Sequence, residues 1–269
     1  MFFLLAIFSL FHFTVQADNN RDNYLDLMKK CLMNSIYQDS NSWNALNSDL
    51  NVYRSEIREK GLDWPNVAHT MIGLHRLNNL QFCVEEVLAN NIPGDLIETG
   101  VWRGGASIFM RAILKAYKNT EKKVFVADSF EGLPVPNLEL YPADASIRYL
   151  SHIPQLAVSL EQVQTNFSRY GLLDDQVVFL KGWFCDTLPK APVEKLALMR
   201  LDGDYYGSTM DSLINLYPKL SVGGYVIIDD YQVLPPCAQA VHDFRNKFNI
   251  TDEIYLISDG VGAFWKRTK

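Results

Sequence analysis

The stretch Pro93-Gly94-Asp95-Leu96-Ile97-Glu98-Thr99-Gly100-Val101-Trp102-Arg103-Gly104-Gly105-Ala106-Ser107 reads as a turn, a short buried strand, a glycine-rich bend and the start of a helix. The glycines at 100, 104 and 105 permit a tight strand-to-helix turn and let a ligand come close to the backbone. A strand that passes through such a turn into a helix opens an α/β domain, in which ligands bind at the carboxyl ends of the strands. The spacing here is GxxxGG, so the dinucleotide fingerprint GxGxxG is absent, which disfavours a nicotinamide-dependent oxidoreductase. A diphosphate prefers a helix amino terminus free of carboxylates. Glu98 sits beside this one, and an acid there suits a cationic ligand.

Downstream, short apolar runs recur at 123–128, 177–180, 196–201, 225–229, 253–258 and 262–266, with a helix expected over 237–248. Continuous aliphatic and β-branched runs suit strands buried on both faces of a parallel sheet. The last two runs are separated only by Asp259-Gly260-Val261, a hairpin spacing. The expected architecture is therefore α/β, a mostly parallel sheet of seven strands ending in an antiparallel C-terminal hairpin. The stretch 134–154 has no clean period and reads as a loop, or lid, over a site.

Upstream, Tyr24, Met28, Cys31, Leu32 and Ile36 mark one face of a helix over 22–37. Met71, Leu74, Leu77, Leu80, Val84, Val87 and Leu88 mark a second over 67–88. Residues 18–92 thus read as an N-terminal segment of helices and loops, and 93–269 as the α/β domain. Before them, 2–15 is almost wholly apolar and Val15-Gln16-Ala17 offers a cleavage site, so 1–17 is expected to be a signal peptide that directs the chain to the secretory pathway. The run is too short for a membrane span, and no stable span is expected. Without a signal the chain would be cytoplasmic.

Of the 269 residues 48% are hydrophobic and 21% charged, an ordinary globular balance, and the net charge is −6. That acidity argues against a nucleic-acid binder, which needs a basic surface. Cys31, Cys83, Cys185 and Cys237 show no zinc spacing and could be paired or free. His69 and His75 fall on different faces of a helix and His152 lies in the 134–154 loop; none is counted as a catalyst.

The carboxyl ends of the expected strands carry Glu98, Asp128, Asp202 with Asp204, and Asp229 with Asp230. Asp128, at the end of the second strand, is placed to accept both hydroxyls of a ribose. Asp202, Asp229 and Asp230 at neighbouring strand ends repel one another unless a cation neutralises them. Hard oxygen ligands favour Mg²⁺, Mn²⁺ or Ca²⁺ over zinc.

With these residues in view, the chain resembles the macrocin O-methyltransferase (TylF-type) family. The resemblance rests on Pro93 to Gly105, Asp128-Ser129-Phe130-Glu131-Gly132-Leu133-Pro134 and Lys181-Gly182-Trp183-Phe184, then on Arg200-Leu201-Asp202-Gly203-Asp204, Ser208-Thr209-Met210-Asp211, Gly223-Gly224-Tyr225 and Asp229-Asp230-Tyr231. It implies the class I methyltransferase (Rossmann-like) fold, S-adenosylmethionine as cofactor and Mg²⁺. Carried over residue by residue, it implies cofactor contacts at Glu98, Thr99, Gly100, Ser107, Asp128, Ser129, Gly182, Trp183 and Phe184. It implies metal ligands at Asp202, Asp229 and Asp230, and a general base at Asp204. Tyr205 stands where catechol-type enzymes carry a lysine, which weakens a catechol substrate.

The expectation is a Mg²⁺-dependent O-methyltransferase acting on a hydroxyl of a small, sugar-like or natural-product acceptor, with the helical front covering the site or building a dimer. The alternative is a secreted binding protein that keeps the fold without turnover. The complete set of acids argues against it.

Overall fold

The computed structural model describes residues 18–44 and 52–269; the expected signal peptide, 1–17, lies outside the described residues. The elements are α1 (Asn19–Leu32), β1 (Asn41–Asn44), α2 (Ser55–Lys60), β2 (Asp63–Pro65), α3 (Gly73–Ala89), β3 (Asp95–Thr99), α4 (Gly105–Ala116), β4 (Val124–Asp128) and α5 (Leu160–Arg169). They continue with β5 (Val177–Lys181), α6 (Phe184–Thr187), β6 (Leu196–Leu201), α7 (Tyr206–Leu216), β7 (Leu220–Ile228), α8 (Pro235–Lys247), β8 (Tyr255–Leu256) and β9 (Ala263–Lys266).

The main sheet has seven strands in the order β5-β4-β3-β6-β7-β9-β8. β3 to β7 run parallel, and β9 is antiparallel to both β7 and β8. This is the expected class I methyltransferase sheet with its reversed C-terminal edge. The inner parallel strands are buried on both faces, the edge strand β5 only partly, and alternate residues serve opposite layers. Leu96 and Leu198 pack with Leu77, Phe109, Ile113 and Phe167 of α3, α4 and α5. Their neighbours Ile97 and Met199 pack with Leu213, Leu216, Val241 and Phe244 of α7 and α8. β3 pairs with β4 on one side and β6 on the other, so the chain reverses its direction of travel across the sheet there. A crevice opens at the strand ends at such a point.

The N-terminal segment departs from the expected helices and loops in three ways. α1 ends at Leu32 rather than at 37, because Asn34 takes φ +51°, a left-handed conformation that stops a helix. The second helix begins at Gly73, not at 67. Between them β1 and β2 form an antiparallel hairpin. It is tied down by buried Arg58, whose Nε donates to Asp63 at 2.9 Å and whose Nη1 donates to the Met33 carbonyl at 2.7 Å and to Asp39 at 2.9 Å. Trp43 and Trp64 face each other across this hairpin with ring centroids 5.2 Å apart.

The stretch 134–154 is not an irregular loop throughout: Pro142–His152 and Pro154–Leu156 are 3-10 turns. Ile147 and Leu150 pack there against Tyr205. All four cysteines are free, with Cys83 and Cys237 buried.

Candidate active site

A cavity of about 650 Å³ opens at the carboxyl ends of β3, β4, β6 and β7, roofed by the covering segment 132–156 and walled on one side by the N-terminal segment. Of the residues expected to hold a cofactor, Glu98, Gly100, Asp128, Ser129, Trp183 and Phe184 line it. Thr99, Ser107 and Gly182 do not line it; they brace the residues that do. Thr99 accepts a hydrogen bond from Ser212 at 3.2 Å in the core. Ser107, in the first turn of α4, donates to Glu98. The Gly182 amide donates to the Asp128 carbonyl at 2.9 Å.

The glycine at 100 is required by packing. It has φ +83°, and a Cβ there would lie 1.7 Å from the Asp202 carbonyl oxygen. Only a bare backbone lets the β3 turn and the β6 end come this close. The turn is also stitched to Asp128, whose Oδ2 accepts from the Val101 amide at 2.7 Å and whose Oδ1 accepts from the Phe130 amide at 2.7 Å. Oδ1 also accepts from the Ser129 hydroxyl at 3.4 Å, so the carboxylate is held in place from both sides of the turn.

At the floor, Arg200 Nη1 donates to Glu98 Oε1 at 2.6 Å and to Asp202 Oδ2 at 2.9 Å, while Nη2 donates to Asp229 Oδ1. Arg76 of α3 donates to Asp229 Oδ2 and pairs with Asp259 at 2.8 Å. Two guanidinium groups thus answer four buried or half-buried acids, and both were missed in the sequence. Arg200 stands in the quoted Arg200–Asp204 motif but was given no role, and Arg76 stands in none; only the tertiary fold brings them beneath the strand ends.

Asp204 and Asp230 make no ion pair among the described residues. One carboxylate oxygen each from Asp202, Asp204 and Asp230 lies within 4.8 Å of the other two. Asp230 Oδ2 is buried with no hydrogen-bond partner, and Asp204 has no side-chain partner among the described residues. Burial, then the charges of Asp202, Asp229 and Asp128, pushes Asp204 up to about 8. Burial and Asp229 raise Asp202 to about 6 against the pull of Arg200. Asp230 is raised by burial and then by the charges of Asp204, Asp202 and Asp229, against the pull of Arg76. Glu98 is pushed up to about 7 by burial, opposed by Arg200.

The geometry therefore redistributes the expected ligand set. Asp202 and Asp230 converge with Asp204, the expected base, whereas both oxygens of Asp229 accept from arginines. An all-oxygen cluster with an orphaned buried oxygen fits a hard divalent cation.

The upper wall is apolar. Trp43, Trp64 and Met71 face it from the N-terminal segment, and Tyr149, Leu150 and Ile153 from the cover. His69 also lines the cavity. Its Nδ1 meets the Tyr170 hydroxyl at 2.8 Å, and burial lowers its pKa to about 4, so the ring is neutral at physiological pH. His75 and His152 lie outside the cavity, paired with Ser258 and Ser151.

Comparison with known proteins agrees with this geometry. The family profile described as Macrocin-O-methyltransferase (TylF) matches residues 21–267. A protein of Streptomyces olivaceus named 8-demethyl-8-(2,3-dimethoxy-alpha-L-rhamnosyl)-tetracenomycin-C 4'-O-methyltransferase is 56% identical over 94% of this chain and 95% of its own. Demethyldecarbamoylnovobiocin O-methyltransferase of Streptomyces niveus is 52% identical over 94% of this chain and 97% of its own. The solved structure of the O-methyltransferase NovP superposes with a TM-score of 0.87 at 52% identity, covering 93% of this chain and 100% of that one. The calicheamicin methyltransferase CalS11, at 18% identity and a TM-score of 0.57, shares the fold. The chain belongs to the macrocin O-methyltransferase (TylF) family and is an S-adenosylmethionine-dependent O-methyltransferase.

Proposed function

We propose that the protein methylates a hydroxyl on the sugar of a neutral glycosidic natural product with the help of a divalent cation, Mg²⁺ by preference. The convergence of Asp202, Asp204 and Asp230 oxygens within 4.8 Å carries this reading. The named relatives act on rhamnosyl-tetracenomycin and on a novobiocin precursor, which supports a glycosidic acceptor. Charge supports a neutral one. Seven acids line the cavity with one arginine, Arg76, which is already committed to Asp229 and Asp259. A phosphate-bearing acceptor would find no counter-charge there.

S-adenosylmethionine supplies an electrophilic methyl on a sulfonium, and a bound Mg²⁺ makes an alcohol easier to deprotonate. Asp202 and Asp230 would hold the cation. Asp229 joins them because each of its oxygens keeps a lone pair beyond the guanidinium it accepts from. That leaves Asp204 to take the proton from the acceptor hydroxyl, as an unpartnered carboxylate of raised pKa is suited to do. Glu98 and Asp128 bind the cofactor's methionyl and ribose portions, and Trp183 and Phe184 flank its adenine. The Trp43–Trp64 wall and the cover exclude water and seat the apolar remainder of the acceptor.

The test is calorimetric. Residues 18–269 are titrated with S-adenosylmethionine, then with Mg²⁺, and both titrations are repeated on Asp202→Ala. Saturable cofactor binding with a Mg²⁺ signal that the variant loses supports the reading. A folded protein that binds cofactor but shows no Mg²⁺ signal would remove the cation from it.

A further inference from the structure

The turn that presents Asp204 is held from above. Asp204 has φ +56°, a left-handed conformation that a non-glycine residue keeps only when its surroundings over-determine it. Locally the turn is closed by the Tyr205 amide, which donates to the Gly203 carbonyl at 2.5 Å. The residues that follow, Tyr205, Tyr206 and Gly207, are gripped by the covering segment. Asp144, 1% exposed, sits on the 3-10 turn Pro142–His152 and accepts from the Tyr206 amide at 2.6 Å and the Gly207 amide at 3.2 Å. These are the first two amides of α7, whose own N-cap, Tyr205, makes no side-chain cap. The cap is therefore supplied by a residue sixty-two positions away in sequence.

Four further contacts land on the same three residues. The Tyr205 ring, 1% exposed, is enclosed by Ile147 and Leu150, and its hydroxyl donates to the Arg148 carbonyl at 3.4 Å. The Tyr141 ring lies so close to Gly207 that a Cβ there would come within 2.7 Å of it, and it packs on the Tyr206 ring at 5.7 Å. The cover, which also lines the cavity, thus clamps the chain immediately after Asp204.

We propose that Asp144 is a positioning residue that couples the seating of the cover to the placement of Asp204. With the cover seated, the α7 amides are capped and the Asp202-Gly203-Asp204 turn is fixed. With the cover lifted, the amides lose their acceptor and the left-handed turn loses its brace. Asp204 then takes its working position only when the cavity is closed to water. This rests on the role given to Asp204 above, but the coupling itself is tested without the reaction.

The test compares wild type, Asp144→Ala and Asp144→Asn by hydrogen exchange, with and without S-adenosylhomocysteine. Asp144→Asn keeps the side-chain volume and one acceptor, and so reports if Asp144→Ala does not fold. Gly207→Ala, which displaces Tyr141, attacks the same seat from the other side. The expected result is at least tenfold faster exchange in both 141–152 and 202–207, with exchange in β3 and α4 unchanged, and at least fivefold faster dissociation of S-adenosylhomocysteine. Faster exchange in the cover with 202–207 unchanged overturns the coupling, as does no change in either. Uniformly faster exchange across the whole chain also overturns it, because Asp144 would then be a general stabiliser. Failure of wild type to bind S-adenosylhomocysteine would count against the cofactor site and leave the exchange comparison intact.

Discussion

Glu98 of β3 and Arg200 of β6 are register partners in the parallel sheet and meet at 2.6 Å, so the ion pair under the cavity is set by strand pairing itself. Arg200 also serves Asp202 and Asp229, which makes it the counter-charge for three acids at once. Removing one partner of a buried pair leaves the others uncompensated and costs about 3–5 kcal/mol. Arg200→Met is expected to lose stability on that scale in urea unfolding. A loss under 1 kcal/mol would mean the acids simply take up protons when the arginine goes.

Stability should also depend on pH through Glu98. Its folded-state pKa, about 7, lies above the value of about 4.3 for an exposed glutamate. The folded protein therefore holds the proton more tightly than the unfolded chain. The contribution is complete below about pH 4 and is lost as pH rises through 7. Asp202, raised to about 6, adds a slope of the same sign. Urea midpoints of the cation-free protein should fall from pH 5 to pH 8, and Glu98→Gln should flatten part of that fall. A variant with the wild-type slope would show that Glu98 is charged throughout.

The crowding of Asp202, Asp204 and Asp230 gives a test with an unusual sign. In EDTA, Asp230→Asn removes a buried like charge and should stabilise the protein by about 1 kcal/mol, within the ordinary range of single substitutions. In wild type, Mg²⁺ at one hundred times its dissociation constant should add about 2.7 kcal/mol. The variant should gain much less. Thermal melts of both proteins with and without Mg²⁺ separate the two effects, and an Asp230→Asn protein less stable than wild type in EDTA would contradict the repulsion argument.

The sheet and the acids at its edge were legible because each depends on local sequence. Leu96-Ile97 and Leu196 to Leu201 are buried on both faces, so their apolar runs announce strands, and the acids at their ends fall where strand ends must be. The β1–β2 hairpin was not legible. Its strands are four and three residues long, too short for an alternation to register, and Arg58 holds them through contacts distant in sequence. The counter-charge roles of Arg76 and of Arg200, the latter inside a quoted motif, were missed because a counter-charge has no pattern until the fold exists. The pair Asp229-Asp230 read as two equal ligands, yet ion pairing sets them apart: Asp229 lies between two guanidiniums, and Asp230 keeps an unpartnered oxygen.

Asp204 is the residue on which turnover should depend most. General-base contributions run to about 10²–10⁴-fold. Asp204→Asn is expected to lower kcat by that range while leaving S-adenosylmethionine affinity within about twofold, because in the proposed function Glu98 and Asp128, not Asp204, would hold the cofactor. A kcat within tenfold of wild type, measured with saturating Mg²⁺, would move the base elsewhere.

The apolar wall makes the complementary prediction, on KM rather than kcat. Trp43 and Trp64 stack at the cavity mouth on the β1–β2 hairpin, and Trp43 is 43% exposed before any acceptor arrives. Covering such a ring on binding is worth about 25 cal/mol per Å² of apolar surface removed from water. Covering about 60 Å² of Trp43 is then worth about 1.5 kcal/mol, or roughly tenfold in affinity. Trp43→Ala should therefore raise KM for a glycoside with a bulky apolar aglycone about tenfold and leave KM for the corresponding simple methyl glycoside nearly unchanged. The hairpin lies apart from the acids, so kcat should hold for both. An equal rise in KM for the two acceptors would show that the wall touches the sugar, and a fall in kcat with KM unchanged would show that the hairpin supports the acids rather than the acceptor.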